Sequence, residues 1–185
     1  MTITYKWTGD LKRFDNQIKA LGKEAPKALQ RAVSRAGDQA KTQVIRALTK
    51  QTGLKRGVIV RAIKVTKPSF KDLSYTMESA GGNISVKYFS ARETRKGVTA
   101  SPWGKRKLFA GSFMRGGLFP NRSGLVFSGH AFERVGKKRR PIEKVKTGLH
   151  IPEEMITGAT EAVFQRTVAD VLPKRVAHEL GRLLK

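Results

Sequence analysis

The residues of this chain that can do chemistry are few, and their spacing assembles no catalytic or metal site. His130, His150 and His178 stand far apart, with no histidine or carboxylate at the spacing a zinc site uses. The chain has no cysteine, which excludes disulfides, thiolate metal sites and a cysteine nucleophile. Glu153 and Glu154 fall at the start of an expected helix, where they complement its dipole. Gly81-Gly82 and Gly116-Gly117 do not form a phosphate-cradling strand-to-helix loop. Gly104-Lys105 lacks both the spacing and the Ser or Thr of one. There is no Gly-x-Ser-x-Gly elbow. The sequence therefore predicts no enzyme, no cofactor and no metal.

What remains is basic. Lys105, Arg106 and Lys107 lie between Trp103 and Phe109. That mixture can stack on bases, or it can form a protein interface with aromatic anchors and a basic rim. Lys137, Lys138, Arg139 and Arg140 form a second cluster, suited equally to phosphate or to an acidic protein surface, because no base-reading motif surrounds it. Phe113 and Phe119 join Trp103 and Phe109 as candidate anchors on a neighbouring subunit. A single Arg-Gly-Gly at 115–117 carries little weight. Nothing resembles a zinc finger, an aromatic ribonucleoprotein motif or a basic zipper.

The charge balance points the same way. The 185 residues include 38 Lys+Arg and 14 Asp+Glu, a formal net charge of +24. Residues 51–150 hold 22 of the cations against five acids, whereas residues 151–185 hold five of each. Charge of one sign gathered in the middle repels itself and calls for counter-charge, most commonly nucleic-acid phosphate and next an acidic protein. Nine Phe, two Trp and three Tyr argue for a folded chain rather than a basic tail. No apolar run reaches membrane-spanning length, and MTITYKWTGD shows no secretory pattern. The expectation is a soluble, intracellular protein with a polyanionic partner and no membrane contact.

The elements that must position these residues read as an α+β single domain over 1–185. Ile3, Tyr5 and Trp7 alternate as a short strand. Asp10 is placed to cap a helix with a stripe at Leu11, Phe14, Ile18 and Leu21, ended by Gly22. A second helix is expected from Pro26, its stripe running Leu29, Ala32, Val33, Ala36, Ala40, Val44 and Leu48 before Thr52-Gly53 stops it. Its opposite face carries Lys27, Arg31, Arg35, Lys41 and Arg46. Residues 54–64 fit helix or strand equally. Leu73, Tyr75 and Met77, then Ile84, Val86 and Tyr88, predict a hairpin turning at Ala80–Asn83. Residues 91–124 read as a long basic loop with aromatic residues. Leu125–Phe127 return to strand character, and a further hairpin follows with 137–140 at its tip. Thr157 or Thr160 is placed to cap a last helix with a stripe at Ala162, Ala169, Leu172, Val176, Leu180 and Leu183, kinked or split by Pro173. The helices at both ends are expected to pack on a small, mainly antiparallel sheet.

Residues 131–156, AFERVGKKRRPIEKVKTGLHIPEEMI, resemble the signature segment of the bacteriophage minor tail protein Z family, the tail completion proteins. The likeness lies in Phe132-Glu133-Arg134-Val135-Gly136, the basic turn, Pro141-Ile142, the Lys-containing strand and Ile151-Pro152 before a helix. The Ala-rich basic helix Ala28–Leu48 with Thr52-Gly53-Leu54-Lys55, and Leu172-Pro173 with Glu179-Leu180, are similar too. The family pattern often has Gly-Pro-Ser where this chain has Thr147-Gly148-Leu149-His150, and the likeness is weakest across 91–124. The resemblance implies a virion structural protein assembled in the host cytoplasm, at the head-proximal end of a long tail. Its implied partners are copies of itself in a ring, a hexamer by the symmetry of such tails, other tail and neck proteins, and double-stranded DNA held through phosphates without sequence readout. The reading from another class is a free, sequence-nonspecific nucleic-acid-binding protein.

Overall fold

The computed structural model of the chain describes residues 2–7, 14–117, 119–124 and 128–184. The fold is α+β, with two long helices and small antiparallel sheets. Helix α1 spans Asp15–Leu21, and Phe14, Ile18 and Leu21 pack against the core. Asp10 and Leu11, the expected cap and first stripe residue, lie outside the described residues.

Helix α2, Ala25–Thr52, is the central element. Pro26 sits in its first turn, where the missing amide proton costs nothing. All seven stripe residues expected from the periodicity are buried, and Ala28, Gly37 and Ile45 extend the stripe. The helix closes on Gly53, whose φ of 75° suits glycine and where a side chain would crowd the backbone of Ser101 and Gly104. The ambiguous segment that follows is both things in turn: α3 spans Arg56–Ala62 and β2 spans Ile63–Thr66.

The long helix at the far end, α5, spans Ala159–Gly181 and packs along α2. Its buried row is Thr160, Phe164, Val168, Leu172, Val176 and Leu180, so the stripe repeats every four residues. Ala162 and Ala169, expected on that face, are exposed, and Thr160 lies inside the helix rather than at its cap. Pro173 does not split the helix. It removes one amide donor, while Leu172 and Val176 on either side are fixed in the core. A short helix, α4 at Ile151–Ile156, precedes α5.

Strand β1, Thr2–Trp7, is where alternation places it, and β3 is Tyr75–Ala80. The expected hairpin from β3 to residues 84–88 does not form. Strand β1 pairs antiparallel with one edge of β3, Tyr5 opposite Met77, and β2 takes the other edge, Val65 opposite Met77. With both edges occupied, the second alternating run must pair elsewhere. Ile84 N–H donates to the Leu149 carbonyl at 2.9 Å and Val86 N–H to that of Val145 at 3.2 Å. Residues 86–88 then form a 3₁₀ turn.

Residues 91–124 carry five short strands rather than running as one open loop. Strands β4 (Arg92–Thr94), β5 (Gly97–Ala100) and β6 (Lys107–Ala110) form an antiparallel sheet in the order β4-β5-β6, which buries Val98 and Ala100. Strands β7 (Arg115–Gly116) and β8 (Ser123–Gly124) pair as a small hairpin. Strands β9 (Phe132–Arg134) and β10 (Ile142–Lys144) form the second hairpin, as expected. Leu125–Phe127, expected as strand, lie outside the described residues.

Helices α2 and α5 meet β3 around the Tyr75 ring, which lies directly against Gly37. Val33, Ala36 and Gly37 face Phe164, Val168 and Leu172 around the Tyr75 ring. The Tyr75 hydroxyl donates to Asp38 Oδ1 at 2.9 Å, and Lys67 Nζ donates to Oδ2 at 3.1 Å. Burial first, and the Asp38 carboxylate second, hold that phenol protonated far above the ordinary tyrosine range. A methyl group at Gly37 would run into the Tyr75 ring. In an open helix, Gly→Ala gains about 1 kcal/mol, but overpacking a core costs about 1–3 kcal/mol. Gly37→Ala is therefore expected to lose about 1–2 kcal/mol, read as a lower urea midpoint. Gly57→Ala, with nothing within 4 Å, should lose nothing. Equal midpoints for the two variants would contradict the packing described.

Candidate polyanion-binding surface

Lys137, Lys138, Arg139 and Arg140 are all exposed at the tip of the β9–β10 hairpin. The base of that hairpin is fixed. Phe132 and Phe113 exchange two backbone hydrogen bonds of 2.8 Å, and Val145 N–H donates to the buried Ala131 carbonyl at 2.9 Å. Val135 N–H donates to the Pro141 carbonyl at 3.2 Å and closes the loop below the tip. Among the described residues, no acid forms an ion pair with any of the four tip cations. The tip is thus a concentrated positive charge on a two-stranded support.

Lys105, Arg106 and Lys107 are also exposed, at the entry to β6. They are less free than the tip. Arg106 Nη2 donates to Thr99 Oγ1 at 3.2 Å, and Lys107 Nζ lies 5.5 Å from the centre of the Phe109 ring. The four aromatic candidates divide. Phe109 is half-buried and packs against the core. Phe113 is half-buried beneath the Arg134 guanidinium, 5.9 Å from its ring centre. Trp103 and Phe119 expose 41% and 46% of their surface, enough for an anchor on another molecule. Trp103 is already tied within the chain, since its indole N–H donates to Glu154 Oε1 at 2.6 Å. Glu154 Oε2 accepts from Gln51 Nε2 at 2.6 Å, so one carboxylate joins the 102–104 turn, α2 and α4.

The fold assembles two further basic surfaces. Exposed Arg31, Arg35 and Arg46 of α2, with Arg166 of α5, line an open groove of about 1010 Å³ that also holds Asp38 and Asp170. The arginines of α2 were legible in its helical periodicity; their companion on α5 was not. Arg95, Lys96, Arg115, Arg122 and Arg134 surround a concavity of about 390 Å³ with no acid in its lining. These five come from four separate segments and share no sequence signal; only Lys96 and Arg115 stand next to a glycine.

His130 reports the local field. Its Nδ1 lies 3.0 Å from Ser85 Oγ, and its ring meets Tyr88 edge-on. Burial, then repulsion from Lys144 and Lys87, lowers its pKa below the ordinary histidine value. Among the described residues, no group of three or more His, Asp or Glu is placed to hold a metal ion, and no helix is long and apolar enough to cross a membrane.

Two outcomes are expected. In acid, the unfolded chain binds a proton on His130 that the folded chain resists, so this residue's contribution to stability is complete above about pH 6.5 and is lost as the pH falls below it. His130→Asn should flatten the difference between melting temperatures measured on the two sides of that range. An unchanged pH dependence would remove the assigned repulsion. Glu154→Ala should cost about 1–3 kcal/mol, because Gln51 and Trp103 both lose their acceptor. It should also make Trp103 more accessible to iodide quenching, whereas unchanged quenching would mean that the indole is held by something else.

Compared with models of known families, with curated proteins and with solved structures, the chain finds no match.

Proposed function

We propose that this chain is a virion structural protein: a tail completion protein at the head-proximal end of a long phage tail. In this reading, copies of the chain form a ring, with the hexamer of a sixfold tail as its expected size. The ring meets neighbouring tail and neck proteins on its faces, and DNA passes it held through phosphates. The protein does no chemistry on the DNA.

The observation that carries the reading is the exposed, unpaired tip Lys137–Arg140 on an anchored hairpin. It lies inside the segment 131–156 that resembles the tail completion family. That segment runs from the β9–β10 hairpin into α4, and it is pinned by buried Ala131, Val145, Leu149, Ile151 and Met155. A firm base with a protruding cationic end suits a protein that must grip a moving polyanion without stopping it. Phosphate contacts of that kind carry no sequence information and exchange readily as the DNA advances. The net charge of +24 per chain supplies the rest, since a ring multiplies it.

Changing Lys137, Lys138, Arg139 and Arg140 together to Glu is expected to leave the circular-dichroism melt close to wild type, because all four lie outside the core. Infectious yield on complementation should fall by about a hundredfold or more, the loss of about 2.7 kcal/mol or more at one essential step. Unchanged yield would sink the proposal. Mass spectrometry of purified tails should find a small integer copy number, about six per tail. A chain absent from particles, yet binding duplex DNA with steep salt dependence, would be the free nucleic-acid-binding protein instead.

A further inference from the structure

The concavity between the β4–β5 turn and the β7–β8 hairpin differs from the groove between α2 and α5 in two respects. Its lining carries five cations and no acid, whereas the groove between α2 and α5 contains Asp38 and Asp170 among its arginines. It also has one guanidinium fixed in place. The Arg122 side chain is only 17% exposed, its Nη1 donates to Glu93 Oε1, and its plane lies 5.9 Å from the centre of the Phe119 ring. Glu93 Oε1 also accepts from the Met114 N–H at 3.1 Å, which locks the carboxylate that holds the arginine. Arg122 Nε is buried and has no hydrogen-bond partner among the described residues. A guanidinium has five N–H donors in a fixed fork, and a buried one without a partner is costly.

Around this fixed group the fold gathers Arg95 and Lys96 from the β4–β5 turn, Arg115 from β7 and Arg134 from β9, all four exposed. Like charges brought together from such distant points of the chain repel unless something negative sits between them. The backbone leaves room for it. Gly97, at φ 146°, lies so close to the Phe109 carbonyl that no side chain fits there, and Gly116 and Gly117 line the opposite wall.

We propose that this concavity is a phosphate site, in which Arg95, Lys96, Arg115 and Arg134 close over one phosphodiester of a nucleic-acid backbone above the fixed Arg122 guanidinium. A tetrahedral oxyanion accepts donors converging from several directions, whereas a planar carboxylate takes one fork. A second concavity of about 420 Å³ shares Arg115 and Arg122 with the first, and its lining holds Arg92, exposed Phe119 and the Glu93 carboxylate. An exposed aromatic face beside a cationic concavity matches a nucleic-acid chain, which offers both a base to stack and a phosphate to bind, better than an acidic peptide or a single free phosphate. The inference rests on the DNA contact of the proposed function and adds to the hairpin tip a second, built contact for the phosphate backbone.

The test is fluorescence anisotropy of a mixed-sequence duplex with the full-length chain, across salt from about 50 to 200 mM. The variant is Arg95→Gln, Arg115→Gln and Arg134→Gln together. The control removes three exposed cations elsewhere, Lys19→Gln, Lys71→Gln and Lys174→Gln. The site variant should bind about tenfold more weakly than the control and reduce the slope of log K against log salt by about one to two units, one or two phosphates' worth. Equal affinities and slopes would overturn the phosphate site and leave the DNA contact standing. A wild-type chain that does not bind duplex at the lowest salt would overturn both. Melting in orthophosphate against chloride at matched ionic strength reads the site on folded wild-type protein. A rise in wild type that is absent in Arg115→Gln alone is expected, and equal shifts in the two would overturn the assignment.

Discussion

The structure depends on the bare backbone of one turn of α2. Because Gly37 has no side chain, the Tyr75 ring lies directly on the helix, and Phe164, Val168 and Leu172 of α5 close around it. The alanines at 28, 32, 36 and 40 extend the same close approach along α2. Close packing of this kind has to hold against a large repulsion, since the chain carries +24. The apolar core sits among α2, α5 and β3, while the runs of consecutive cations lie in exposed hairpin tips and turns. Separating the two limits how much of the repulsion acts on the core.

That separation also divides the molecule by task. The helices and the β1-β3-β2 sheet contain most of the long apolar rows. The short strands between Arg92 and Lys144 have few buried side chains each and present many cations. A surface built from short hairpins places charge from remote positions side by side, which no single helix face of the chain does.

Much of the fold was legible in sequence where a periodicity ran long enough. The α2 stripe is correct at all seven expected positions because the helix is 28 residues long and buried on one side only. Alternation identified β1 and β3 as strands, but it says nothing about which edge pairs with what, so the partner of β3 was wrong. The strands of 91–124 are two to four residues long, too short for alternation to register. In α5, two exposed alanines were taken for stripe residues because alanine is neutral about burial, and Thr160, which is buried, was taken for a cap. The basic tip at 137–140 was visible because its four cations are consecutive. The guanidinium cluster was not, because its members are separated by up to 39 positions and meet only when β4, β7 and β9 come together.

The side chain of Gln51 gives the helical half of the molecule a property that its separate elements lack. Its amide nitrogen donates to the Glu154 carboxylate and to the carbonyls of Glu154 and Thr157, while its oxygen accepts from the Thr160 hydroxyl. One carboxamide thus serves the end of α2, the end of α4 and the start of α5 at once. Loosening the end of α2 removes a partner from both of the others, and loosening α4 or α5 removes one from α2. The end of α2 thus links the α4 and α5 termini through one side chain, which opposes the ordinary fraying of helix ends where the three meet.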